Sequence, residues 1–357
     1  MVQSLRTSGL GRFLNRSGQN KPRRPRTKAE TEKRRRFLVV ALIVAAVVTA
    51  VSVVGYGYYD TSVKPWRQAI LKVNGTTFNM RHFVNLLRVY GWTSSEYAQY
   101  AIGIMEDNEL NKQYLESQFP DVDMGAVIGD EAANAKITEL LGLADNYTQE
   151  EYDEAYGGLE SNLKSMGLSI GDLKKIYIEP QLISEELARQ VGDRDYPATD
   201  NYDHARVQAL LVSGSDEAAL ARMRWENGAD FNDLVTEEWV SDSVRDTAAT
   251  DNVTPKWVAR GIQSTTFDNY TFNMPVGMLG DPVQDNDSPE DYWLVNLLAR
   301  EARPLAETDR DTLVSSAVSK WLEEAKVSPE NVIVNYLDQE GGAAKLAWAM
   351  DHVQVDA

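Results

Sequence analysis

From Phe37 to Tyr59 the chain reads FLVVALIVAAVVTAVSVVGYGYY, 23 residues without a charge. Coiled as a helix, this stretch reaches about 35 Å, enough to cross the hydrocarbon core of a bilayer. A buried helix of a water-soluble protein rarely runs so far without a charged side chain, so the stretch reads as a transmembrane segment. Tyr56, Tyr58 and Tyr59, followed by Trp66, gather at one end in the manner of an interfacial aromatic belt.

The same stretch divides the charge. Residues 1–36 hold 12 Lys and Arg against 2 Asp and Glu, an excess of 10, so residues 60–357 carry −28 of a chain whose net charge is −18. Lys33-Arg34-Arg35-Arg36 abuts the apolar run. The positive-inside rule then puts the N-terminus in the cytoplasm and everything after Tyr59 outside. A cleaved signal peptide is the rival reading. Its apolar core is shorter, about 7–15 residues, and ends at small residues. Ala45 and Ala50 make a poor cleavage site and the run continues past them, so residues 37–59 read as an uncleaved anchor.

Nearly 300 residues lie beyond the anchor, room for two domains. There is no cysteine, which rules out disulfides, thiol catalysis and thiolate metal sites and suits an exported bacterial protein. The acidic exterior argues against nucleic acid as a partner. Residues 1–36, rich in Arg, Lys, Ser, Gly and Asn, read as a solvated, disordered topology signal.

Beyond the anchor, Ala69–Val73 reads as a strand and Asn74-Gly75 as a tight turn. Asn79 is a good N-cap for a helix with Met80, Phe83, Leu86, Leu87 and Tyr90 on one face. Residues 93–195 stay helical in character. Thr148-Gln149-Glu150-Glu151 has the form of a capping box, and Pro180 is expected to kink or end the helix it sits in. From Arg206 the pattern changes to strand, helix, helix and returning strands, an α+β unit. Amphipathic residues 308–325, an apolar run at 330–337 and a short helix at 343–352 close the chain.

This order of pieces resembles the SurA/PrsA-like exported foldases, whose α+β unit is a parvulin-type peptidyl-prolyl isomerase domain. ILKVNGTTFNMRHFVNLL (70–87) looks like their opening segment. SMGLSIGDLKKIYIEPQLISEELARQV (165–191) looks like the helix before the isomerase unit. His204–Val212 looks like the first parvulin strand. Gly228-Ala229-Asp230-Phe231 looks like the junction of the two following helices. Trp257-Val258-Ala259-Arg260-Gly261, Phe267, Phe272 and Pro275-Val276-Gly277 look like the run after them. Pro282-Val283 and Asp291–Leu297 fit the last hairpin, and Trp321-Leu322 the closing helix. The resemblance implies an α+β chain. An N-terminal transmembrane helix (37–59) precedes a mostly helical chaperone-like domain (65–195). A parvulin-like domain (202–305) is inserted, and a C-terminal segment (306–357) packs back on the helical domain.

The resemblance also implies a proline-binding cup flanked by two histidines. Here those positions fall at Ala209 and Trp293, so both histidines are missing. The acidic or cysteine position falls near Asp242. The cup phenylalanine falls at Phe267, and a cup methionine or leucine falls at Gln263. Rotation about the amide meets a barrier of about 18–20 kcal/mol, so a site stripped of its histidines is expected to have lost most of its catalysis. Trp293 is expected to fill the cup. Trp257 and Met274 are further peptide-binding candidates, with Trp225 and Trp239, although plain core is the simpler reading of each.

Of the three histidines, His204 lies five residues before Ala209, about 16 Å along a strand and on its other face, and reads as a surface residue at a strand end. His82 reads as partly packed. Asp281–Asp291 offers hard oxygen ligands for calcium without EF-hand spacing, and reads as a solvated hairpin loop. No metal and no cofactor is implied. There is no phosphate-binding G-x-x-x-x-G-K, no H-E-x-x-H and no G-x-G-x-x-G.

Three functions stay open. The first is a membrane-tethered foldase or holdase for unfolded exported polypeptides, gripping them in an apolar crevice of the helical domain. The second is an active isomerase. The third is an accessory subunit of a membrane complex. Client identity and oligomeric state are not legible.

Overall fold

The computed structural model describes residues 44, 46–49, 51–52, 56–143, 146–236, 240 and 255–354. The chain divides into two units, Met1–Pro65 and Trp66–Ala357.

In the first unit the basic tail and most of the expected anchor lie outside the described residues. Those described between 44 and 58 are helical, and a π-helical turn follows over Tyr59–Val63. Val44, Val47, Val48 and Val51 are all more than half exposed. Among the described residues, no helix is long and apolar enough to cross a membrane.

The second unit opens with a hairpin of β1 (Ala69–Val73) and β2 (Thr76–Asn79). Asn74, with φ 52°, takes the left-handed position of the turn, a conformation asparagine tolerates better than most residues. Its side chain is also a hub. Nδ2 donates to Gln113 and to Asn331, and Oδ1 accepts from the Val332 N–H at 2.8 Å. That last bond sets β8 (Ile333–Asn335) against β1, giving an antiparallel sheet in the order β2-β1-β8. The apolar run at 330–337 thus closes a sheet begun more than 250 residues earlier.

Asn79 caps α1 (Met80–Val89) by accepting from the His82 N–H. Then come α2 (Ala98–Gln118), α3 (Asp130–Leu140) and α4 (Gln149–Ser165). The Thr148/Glu151 capping box on α4 is complete in both directions. A turn of helix at Ile170–Leu173 and a π-helical turn at Lys174–Ile178 run into α5 (Glu179–Asp195). Pro180 does not end this helix. The missing proline N–H would orphan a carbonyl one turn back; the wider π turn bonds Glu179 N–H to Lys174 O immediately before it.

The mixed unit is built on β3 (Asn201–Ser213), paired along its whole length with β7 (Asp291–Pro304). A bulge lies between Arg206 and Val207. Helices α6 (Ser215–Glu226), α7 (Phe231–Val235) and α8 (Thr265–Thr271) accompany this sheet. Strand β4 (Lys256–Ala259) borders β3, while β5 (Met278–Leu279) and β6 (Val283–Gln284) border β7. Side chains alternate between faces. Leu210, Val212 and Leu294 pack with Ala218, Ala221, Leu234 and Val235 of α6 and α7. Val207, Trp293, Val295 and Leu297 pack with Phe267 and Phe272 on the α8 side.

The chain ends in α9 (Glu307–Val327), β8 and α10 (Gly342–Val353). Val314 of α9 joins Leu187 and Val191 of α5 in one apolar cluster. Ala349 and Val353 of α10 join the core of α1, α2 and β1. Arg88 of α1 donates to the carbonyls of His352 and Val353, satisfying acceptors that a helix C-terminus leaves free.

Candidate functional site

Two places invite attention. The first is the α8 face of the mixed sheet. Pairing sets Ala209 opposite Val295 and Leu211 opposite Trp293, which makes Ala209 and Trp293 diagonal neighbours on one face. Phe267, 1% exposed, meets the Trp293 ring edge-on at 4.9 Å between centroids. Ala209 and Met274 pack against the same cluster. The Trp293 indole N–H lies 3.1 Å from Asp285 Oδ2 and 3.2 Å from Ser264 Oγ. Trp293 is therefore gripped by an aromatic ring on its side and acceptors at its nitrogen.

The other residues singled out in the sequence lie elsewhere. Trp257 alternates with Val258, and Val258 packs toward Phe267, so Trp257 faces the opposite side of β4, beneath the Arg303 guanidinium at 4.4 Å. Gln263 is exposed. Trp225 packs with Phe231 beside the α6–α7 core. Asp242 and Trp239 lie outside the described residues.

Two expectations are corrected. His204 is not on the surface: it is 4% exposed, with Nδ1 2.7 Å from Tyr202 O, and it lies within the sheet, paired with Ala259 on one side and Glu301 on the other, not at a free strand end. The acidic stretch Asp281–Asp291 is not simply a solvated loop. Asp285 is 5% exposed, and its carboxylate accepts the Trp293 indole N–H. The Asn286 N–H donates to Thr266 Oγ1, which pins the loop further. Among the described residues, no group of three or more His, Cys, Asp or Glu could hold a metal ion.

The second place is a cavity of about 430 Å³ in the helical half, between β2, α1, α2 and the start of α5. Its lining mixes apolar residues such as Met105, Ile176 and Ile183 with charged ones. His82, Glu109, Lys112, Asp172, Lys175 and Glu179 are among the residues lining it. Glu109 Oε1 accepts from Thr76 and Gln113; Asp172 Oδ1 accepts from Asn85. Burial drives the His82 pKa down to about 4, with Lys175 adding to the effect and Asp172 opposing it. Burial pushes the Glu179 carboxyl up, against the pull of Lys175 and Lys112.

One motif at the edge of this region corrects the reading that the chain has no G-x-S-x-G. Gly167-Leu168-Ser169-Ile170-Gly171 spells G-x-S-x-G, a pattern that in some hydrolases marks a nucleophile on a strand-to-helix turn. No strand precedes it here. Ser169 is a helix N-cap, its hydroxyl donating to Asp172 Oδ2 at 2.6 Å and accepting from the Asp172 N–H. It is a capping residue, and the run of helical residues on either side was the available signal.

No family model and no curated protein sequence matches the chain. Among solved structures, PrsA, a peptidylprolyl isomerase from Bacillus anthracis, is similar at 18% identity and a TM-score of 0.36, covering 71% of this chain and 99% of that one. PrsA from Bacillus cereus is similar at 13% identity and a TM-score of 0.33, over 82% and 94%. A structure described as two SurA-like chaperones of Campylobacter jejuni, PEB4 and Cj1289, is similar at 13% identity and a TM-score of 0.25, over 60% and 88%. These are the proteins whose order of pieces the sequence resembles. At these identities and scores the likeness by itself assigns the chain no activity.

Proposed function

We propose that the chain is a membrane-anchored, extracytoplasmic chaperone of the SurA/PrsA-like kind that binds unfolded exported polypeptides, and that its parvulin-like unit has lost most or all isomerase activity. The observation that carries the second half is Trp293. Its side chain, 7% exposed, is locked by Phe267, Asp285 and Ser264 on the face where the resemblance calls for a histidine beside an open cup. No histidine stands at Ala209 to compensate. The chaperone half is supported by the order of motifs from 70 to 322 and by the cavity in the helical half. Anchoring through residues 37–59 is supported by their lack of charge and by the basic residues just before them. The proposed division is a basic cytoplasmic tail (1–36), anchor (37–59), helical domain (65–195), parvulin-like domain (202–305) and a C-terminal segment returning to the helical domain (306–357).

The test is proline isomerisation by residues 66–357 on a short peptide with a slow cis-to-trans step. The expected rate equals the uncatalysed one, while the same protein holds back aggregation of an unfolded client. Rate constants rising in proportion to protein concentration would restore the enzyme, and Phe267→Ala would then be the variant to examine. A single stoichiometric membrane partner in a mild-detergent pull-down, with no hold on unfolded clients, would favour the accessory-subunit reading instead.

A further inference from the structure

The dipeptide Asn-Gly occurs twice, at Asn74-Gly75 and at Asn227-Gly228. It is the most labile setting for an asparagine, because glycine, without a Cβ, leaves its own amide nitrogen free to reach the asparagine side chain. The fold treats the two pairs in opposite ways.

Asn74 is held on every side. Its Nδ2 donates to Gln113 Oε1 at 2.7 Å and to Asn331 Oδ1 at 2.9 Å. Its Oδ1 accepts from the Val332 N–H, and its own N–H donates to the Val332 carbonyl, both at 2.8 Å. For Asn74 Cγ to swing toward the Gly75 nitrogen these side-chain bonds must open, and with them the seat of β8 on β1. Asn227 is free by comparison. It is the C-cap of α6, at the turn into α7, and it is exposed. Among the described residues its side-chain amide makes no hydrogen bond. Gly228 is exposed as well, with φ 90° and open space where a Cβ would go. A single bond restrains its nitrogen, from Gly228 N–H to Trp225 O at 2.9 Å. That bond lies at a helix end, where fraying is easiest.

We infer that Asn227 is a site of spontaneous deamidation and isomerisation, and that the fold protects Asn74 from the same reaction. The Gly228 nitrogen gives its proton to solvent and bonds to Asn227 Cγ. The Cγ–Nδ2 bond breaks, and Nδ2 takes up a proton and leaves as ammonia. A succinimide ring remains. Water then opens the ring at either carbonyl. Opening at Cγ gives aspartate; opening at the main-chain carbonyl gives isoaspartate, whose backbone runs through Cβ and Cγ. The net change is amide plus water to acid plus ammonia, so no oxidant or metal is consumed. The product sets a carboxylate at the C-terminal end of α6, where the helix dipole disfavours negative charge. The iso form also lengthens the turn that the Trp225 and Phe231 rings span at 4.9 Å. The inference is independent of client binding.

The test holds the full chain in detergent in warm, mildly alkaline buffer, folded and in parallel unfolded in urea, and follows both Asn-Gly peptides by mass spectrometry. In urea the two are expected to convert at comparable rates. In the folded chain the Asn227 peptide is expected to convert at least about tenfold faster than the Asn74 peptide, the worth of roughly one to two net hydrogen bonds. Isoaspartate is expected among its products. Asn227→Gln, whose ring would be six-membered, is expected to abolish the conversion there. Gln113→Ala with Asn331→Ala, in a chain that still melts cooperatively, is expected to narrow the ratio by freeing the Asn74 amide. Equal rates in the folded chain overturn the inference. So does an Asn227 peptide that stays unchanged over the time in which the urea-unfolded chain converts. Aspartate without isoaspartate overturns the cyclic route. A ratio unmoved by the double variant overturns the protection assigned to the Asn74 bonds.

Discussion

Trp293 and Asp285 depend on each other. Asp285 is a buried carboxylate, and the indole N–H is its closest donor, at 3.1 Å. Replacing Trp293 by Phe keeps a ring in place but leaves that acceptor short of a partner, at an expected cost of about 1–3 kcal/mol. Urea unfolding checks this; a change within about 0.5 kcal/mol, the range of a neutral surface substitution, would mean that the bond contributes nothing. Phe267→Ala, at a fully buried site, is expected to cost more, about 3–5 kcal/mol. His82 gives a pH signature. Its folded pKa of about 4 lies below the ordinary 6.5, so on acidification the unfolded chain takes up the proton first. Stability is therefore lost as pH falls from about 6.5 to 4, by at most about 3 kcal/mol. His82→Gln is expected to flatten that part of the profile in urea titrations at pH 7 and pH 4. An unchanged slope would assign the dependence to other groups.

At the scale of single elements, α4 stands out. Leu163 is its one buried residue. Its adjacent Gly157 and Gly158 have open space where a Cβ would go. Glycine inside a helix costs about 1 kcal/mol relative to alanine, and nothing packs closely enough to require it here. Gly157→Ala with Gly158→Ala is expected to raise helicity and add about 1–2 kcal/mol, read by circular dichroism and thermal melting. Removing the cap with Thr148→Ala is expected to cost about 1 kcal/mol. Both effects are local, and their signals sit within a few residues of one another. The same is true of the Asn79 cap and the Asn74-Gly75 hairpin, which is why they were legible in the sequence. Pro180 was only half legible: the proline marks a disturbance, but the π turn that absorbs it depends on how Ile176, Ile178 and Ile183 are buried together with the rest of the helical half.

For the molecule as a whole, the decisive links are long in sequence. Asn201 pairs with Pro304, so the mixed unit enters and leaves at one point, with strands about 5 Å apart. Excising residues 202–303 and joining the ends with a short linker is expected to leave the helical half folded, with its melting transition retained. Deleting 306–357 is expected to do the opposite. Trp321, Ala325, Ala349 and Val353 fill the core around Ile70, Phe83 and Leu87, and α9 covers Leu187 and Val191. The truncated chain should lose its near-UV circular dichroism and aggregate. A monomeric, cooperatively melting product would show that the helical half closes its core without the C-terminal segment.

The sequence by itself determined what depends on neighbours along the chain. It supplied the uncharged run and its basic flank, the caps, the tight turn and the period-2 strands. Only the tertiary structure decided which residues meet. It buried His204 within the mixed unit and drew Asp285 out of an acidic loop to face Trp293. It sent Trp257 to the far side of its strand, gave the helical half a cavity lined by charged and apolar residues together, and laid β8 beside β1. The reason is physical. Turn and cap energies are set within a few residues, whereas burial, strand order and the pairing of a charge depend on partners tens to hundreds of residues away, whose positions no local pattern encodes.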